Sequence, residues 1–121
     1  MKYFSAEGDP ALFRCPCGNC DVGPTAMLLD ALDLARDLAN VPFKINSGPR
    51  CRAYCETKGF SLTSEHIDGE GADVHCPDSA TRNRILRGAL EAGFNRVGIG
   101  ETFVHLGVSD THTQDVVWTY Y

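Results

Sequence analysis

Two stretches of helical apolar periodicity, set among short strand-like segments, constrain the fold of this 121-residue chain more than any other feature. In the first, Met27, Leu28, Ala31, Leu32, Leu34, Ala35 and Leu38 recur at helical spacing from Pro24 to Asn40, and that face is read as core. In the second, Asp78 or Ser79 is a good cap, Ile85, Leu86, Ala89 and Leu90 turn inward, and Gly93 ends the run. A shorter helix is expected from about Arg50 to Lys58. Strand-like segments run from Val41 to Asn46, Gly71 to Cys76, Arg96 to Ile99, Thr102 to Val108 and Asp115 to Tyr120. Helices and strands that do not alternate regularly, with the last strands joined by short turns, predict an α+β domain with a small, mainly antiparallel sheet and about three helices.

The length suits one compact domain over residues 1–121, and 43% apolar with 22% charged residues is globular composition. A net charge of -5 gives no footprint for nucleic acid, and the one basic run, Arg82, Arg84 and Arg87, reads as a solvated helix face. No segment approaches the roughly 20 apolar residues of a membrane span, and Met-Lys-Tyr-Phe-Ser lacks the apolar part of a signal peptide. The chain is therefore expected to be a monomer made in the cytoplasm, without membrane or nucleic-acid partners. Six cysteines without an export signal leave the redox state open. Free thiols, or one or two disulfides formed after release, are expected; a thiolate-bound zinc at Cys15, Cys17 and Cys20 would need a distant fourth ligand.

Of the four histidines, at 66, 75, 105 and 112, two can converge with a carboxylate on a metal. His66 is separated from Asp73 by a stretch containing Gly69 and Gly71, which lets the backbone turn between a loop imidazole and a strand carboxylate. His105 follows Phe103 and Val104 in an apolar strand. His75 is its rival, because it shares a strand face with Asp73. Spacing does not choose between them. Two imidazoles and one carboxylate would leave a fourth position of zinc open, the pattern of a catalytic site.

Three blocks, Ser47-Gly48-Pro49-Arg50-Cys51, Ser64-x-His66-x-x-Gly69-x-Gly71-x-Asp73, and Gly98-Ile99-Gly100 with Phe103-Val104-His105, resemble the D-Ala-D-Ala metallopeptidases of the M15 type in order and spacing. Phe13-x-Cys15-x-Cys17-Gly18 and the closing Val117-Trp118-Thr119-Tyr120 are similar to short bacterial and phage members. The resemblance implies a hedgehog/DD-peptidase-like fold and a zinc ion held by His66, Asp73 and His105, and so selects His105 over His75. It implies a peptidoglycan stem peptide as substrate, cut by carboxypeptidase or endopeptidase action at the cell wall once the protein is released or exported. Arg50 would hold a substrate carboxylate or an oxyanion, and Ser64 would bind substrate or support a ligand.

Many members carry an acid three residues before the last histidine, where Thr102 stands here. Glu101 is the nearest acid and the expected general base, although on an ideal strand it would lie about 13 Å from His105 at roughly 3.3 Å per residue. Asp68 and Asp110 are the alternatives, with Glu65 behind them. A noncatalytic zinc-containing wall-binding or phage structural protein of the same fold is the competing reading.

Overall fold

A computed structural model describes Tyr3, Phe4 and residues 13–121. Residues 1, 2 and 5–12 lie outside the described residues. Helix α1 spans Ala26–Ala39, opened by Thr25, whose hydroxyl accepts from the Leu28 N–H, and closed by Asn40 in the left-handed region at φ 55°. Helix α2 is Arg52–Lys58 and α3 is Ser79–Glu91, the latter capped by Asp78. The strands are β1 (Ile45–Ser47), β2 (Gly71–His75), β3 (Arg96–Ile99), β4 (Phe103–Gly107) and β5 (Val116–Thr119).

They form one sheet in the order β1-β2-β4-β3-β5, antiparallel except where β5 runs parallel to β3. The α+β expectation holds. The first strand begins later than Val41, because Val41 and Phe43 precede the ladder and Phe43 serves the core instead.

Alternation along the strands divides the sheet into two chemically different faces. Ala72 and Val74 of β2, Val97 of β3, and Val104 and Leu106 of β4 are fully buried in the core with Leu28, Leu32 and Ile85 of the helices. Helices α1 and α3 pack closely because Gly88 has no side chain, and a Cβ there would stand 2.5 Å from the Ala35 carbonyl oxygen. The core stripe of α1 is Leu28, Leu29, Leu32, Ala35 and Ala39. Met27, Leu34 and Leu38, expected inside, are exposed, and so is Leu90 of α3. Helices α1 and α3 lie on one sheet face with a stripe narrower than the apolar residues available to fill it.

Candidate metal centre

The residues of opposite parity build the other face. Register sets Asp73 directly opposite His105 across β2 and β4, with Gly98 of β3 on the other side of His105 and Trp118 of β5 opposite Gly98. Small residues make room for large ones. A Cβ at Gly98 would stand 2.6 Å from the Trp118 indole nitrogen. His66 enters from the loop before β2, where Gly69, at φ +70°, turns the chain so tightly against the Gly23 carbonyl that only glycine fits.

His66, Asp73 and His105 each offer a donor atom, and these three atoms lie within 4.8 Å of one another. Asp73 Oδ1 is 3.3 Å from His66 Nε2 and 3.0 Å from His105 Nδ1. Metal bonds of about 2.0–2.1 Å place tetrahedral donors roughly 3.3 Å apart, so the set fits a zinc-sized ion.

The outer nitrogens of both rings are held as well. His66 Nδ1 donates to the Gly48 carbonyl at 2.7 Å, which leaves Nε2 as the donor atom toward an ion. His105 Nε2 meets Glu65 Oε1 at 2.5 Å, which leaves Nδ1. Backing of this kind fixes the ring and its tautomer in metal sites.

Glu65 is 2% exposed, and its other oxygen accepts from Arg96 Nε at 3.1 Å and from the Ser109 N–H at 3.2 Å. Burial alone would raise its pKa, but the contact with His105 and the charges of His105 and Arg96 outweigh burial and hold it below the ordinary value. Gly71 and Gly107, paired across the ladder, form its seat: a Cβ at Gly107 would stand 1.9 Å from Glu65 Oε1. Asp73 is likewise kept below the usual carboxylate range, since hydrogen bonds and charge from His105 and His66 exceed the effect of burial. Between Asp73 and Glu65, His105 is raised against the pull of its burial.

The donors line a groove of about 580 Å³, within the range of small-molecule and peptide sites. Phe60, Phe103, Trp118 and Tyr120 give it an aromatic lining, and Arg50 a positive one. The Arg50 guanidinium lies 3.8 Å from Asp73 Oδ2, donates to the Ser47 hydroxyl and stacks 4.9 Å from the Phe60 ring centroid. Ser64 lines the groove too, and its hydroxyl accepts from the His66 N–H at 3.2 Å, bracing the loop that carries the imidazole.

Not every expected residue comes to this place. Glu101 is exposed in the bend between β3 and β4, outside the groove, and its carbonyl accepts from Arg82 Nη2. Asp68 and Asp110 are exposed and also outside it. Among the described residues, Asp73 and Glu65 are the carboxylates that line the groove, and Glu65 faces the side of His105 away from Nδ1. His75 pairs with Phe103 and does not reach the cluster. Sequence reasoning missed Glu65 as the partner of His105, together with Arg96. The signal was there in Gly71 and Gly107, whose missing side chains make space for a buried acid.

Two imidazoles and a carboxylate, each imidazole fixed from behind, beside a guanidinium and an aromatic lining, are a donor set that could hold one metal ion. A family model described as Peptidase M15 matches residues 3–107, a span that includes all three donors and Arg50, and the chain belongs to the M15 peptidase family. It is thus a metallopeptidase by family, with a peptide as substrate. No curated protein matches the sequence.

Proposed function

We propose that this protein is a zinc-dependent hydrolase of peptidoglycan stem peptides, with His66, Asp73 and His105 as the metal ligands. The observation that carries this reading is the convergence of the three donors in a groove that also holds the Arg50 guanidinium. A bound zinc ion supplies a Lewis acid for a peptide carbonyl and lowers the pKa of water. The chain's own residues bind and orient. Arg50 offers paired donors to a terminal carboxylate or to the oxygen that gains charge during hydrolysis. Phe60, Phe103 and Trp118 cover the apolar parts of a short peptide and exclude water from it. Glu65 keeps the His105 proton on Nε2 and the Nδ1 lone pair toward the donor cluster.

Glu101 receives no role in proton transfer here, because it lies outside the groove. The same fact favours the second reading, a zinc-containing wall-binding protein without turnover, since the groove has no carboxylate left over for a base among the described residues. A monomer acting at the wall after release or export suits either reading. Among the described residues, no helix is long and apolar enough to cross a membrane.

Incubation with a stem peptide ending in D-Ala-D-Ala, and separately with a cross-linked dimer of such peptides, tests the proposal. Release of free D-Ala defines a carboxypeptidase, and separation of the dimer an endopeptidase. Binding of both without cleavage would move the protein to the second reading.

A further inference from the structure

We propose a second metal site in this protein, a structural zinc held by the thiolates of Cys15, Cys17, Cys20 and Cys51. The four sulfurs lie within 4.8 Å of one another, although Cys51 is 31 or more positions along the chain from the other three. Cys17 Sγ is 3.5 Å from Cys20 Sγ and 3.7 Å from Cys51 Sγ. Zinc–sulfur bonds of about 2.3 Å put the corners of a tetrahedron roughly 3.8 Å apart, close to these separations. Disulfides would join sulfurs in pairs and give no reason for all four to meet. Each of the six cysteines is free. The distant fourth ligand that the sequence left unnamed is the cap of α2.

The backbone around the cluster is arranged for thiolates. The Cys51 N–H donates to Cys15 Sγ at 3.2 Å, the Asn19 N–H to Cys17 Sγ at 3.3 Å and the Tyr54 N–H to Cys51 Sγ at 3.3 Å. Gly18 makes this possible. At φ +72° it turns the chain between Cys17 and Cys20, with its N–H on the Cys15 carbonyl. Such N–H donors offset part of the negative charge that four thiolates bring to a dication. As the ion binds, each thiol yields its proton to solvent and becomes a ligand. Cys55 and Cys76 are buried elsewhere and take no part.

The site ties the segment before α1 to the start of α2. Cys51 follows Arg50, whose N–H donates to the His66 carbonyl at 3.0 Å. The thiolate zinc thereby fixes the stretch of chain that delivers Arg50 to the groove, without entering the groove itself.

The test uses a full-length His66→Ala/His105→Ala variant, in which the groove has lost two donors, so the result does not depend on the proposed peptidase activity. We expect one zinc per chain, a sulfur shell at about 2.3 Å in zinc X-ray absorption, and release of the ion by an organomercurial. Further replacement of Cys17 and Cys20 by Ser abolishes that zinc, whereas Cys55→Ser with Cys76→Ser leaves it in place. Should the variant fail to fold, the parent chain serves: two zinc ions are expected, of which the mercurial releases one. Absence of a mercurial-released zinc from both proteins, or disulfide-linked peptides joining these four cysteines in the purified chain, overturns the proposal.

Discussion

Asp73 and His105 face each other across the β2–β4 ladder with Oδ1 and Nδ1 3.0 Å apart, so the backbone register itself assembles two of the three donors. The third, His66, depends on a loop. Replacing either imidazole removes a donor from the set. His66→Ala and His105→Ala should each abolish metal binding at the groove, while His75→Ala should retain it; metal content after dialysis, counted apart from any thiolate-bound ion, decides. Loss with His75→Ala and retention with His105→Ala would show that the ligand set is wrong.

Glu65 offers a sharper test of the supporting shell. Glu65→Gln keeps the shape but removes the charge that orients His105, and should weaken groove metal affinity about 10- to 100-fold. Gly107→Ala drives a methyl group into the Glu65 carboxylate and should cost at least about 1–3 kcal/mol in stability. Competition with a chelator and thermal denaturation measure the two effects. Unchanged metal affinity in Glu65→Gln would make the contact merely structural.

The metal-free groove should respond to pH in a defined direction. His105 is raised above its ordinary 6.5, so its stabilisation is complete below that value and is lost as pH rises through the raised one. Glu65 and Asp73 are lowered from 4.5 and 3.8, so theirs is present above those values and is lost on further acidification. The metal-free protein should melt highest between 4.5 and 6.5, whereas groove metal affinity should climb with pH as the proton leaves His105. A melting temperature of the chelated protein that keeps rising above this window would contradict the assignment.

Arg50→Lys should lower turnover at least about tenfold with groove zinc unchanged, because a point charge does not reproduce the paired donors of guanidinium. Glu101→Gln should leave turnover within about twofold. A loss on the order of 10²-fold or more in Glu101→Gln, the scale of a missing general base, would bring the bend at 101–102 into the mechanism.

The three candidate donors that converge were legible in the sequence because glycines mark the turn from His66 to Asp73, and the family pattern supplied His105 where period-two spacing left His75 open. Each of the five strands overlaps a segment read as strand-like, the first with shifted bounds. Which apolar residues of α1 face inward could not be read, since Leu34 and Leu38 fit a helical stripe as well as Leu29 and Ala39 do, and only the packing of α1 in the folded core separates them. Glu65 escaped notice because its neighbours are distant in sequence: His105, Arg96 and Ser109 reach it only after the sheet forms. Glu101 was placed by its distance along the chain from His105. The bend after Gly100 carries it away from the groove.

The most direct measurement is digestion of purified peptidoglycan by the protein as prepared, after treatment with a chelator that strips the groove, and after zinc is restored, with the products identified by mass. The account predicts stem-peptide products that disappear on chelation and return with zinc. Equal product with and without chelator, or none under any of the three conditions, would contradict it.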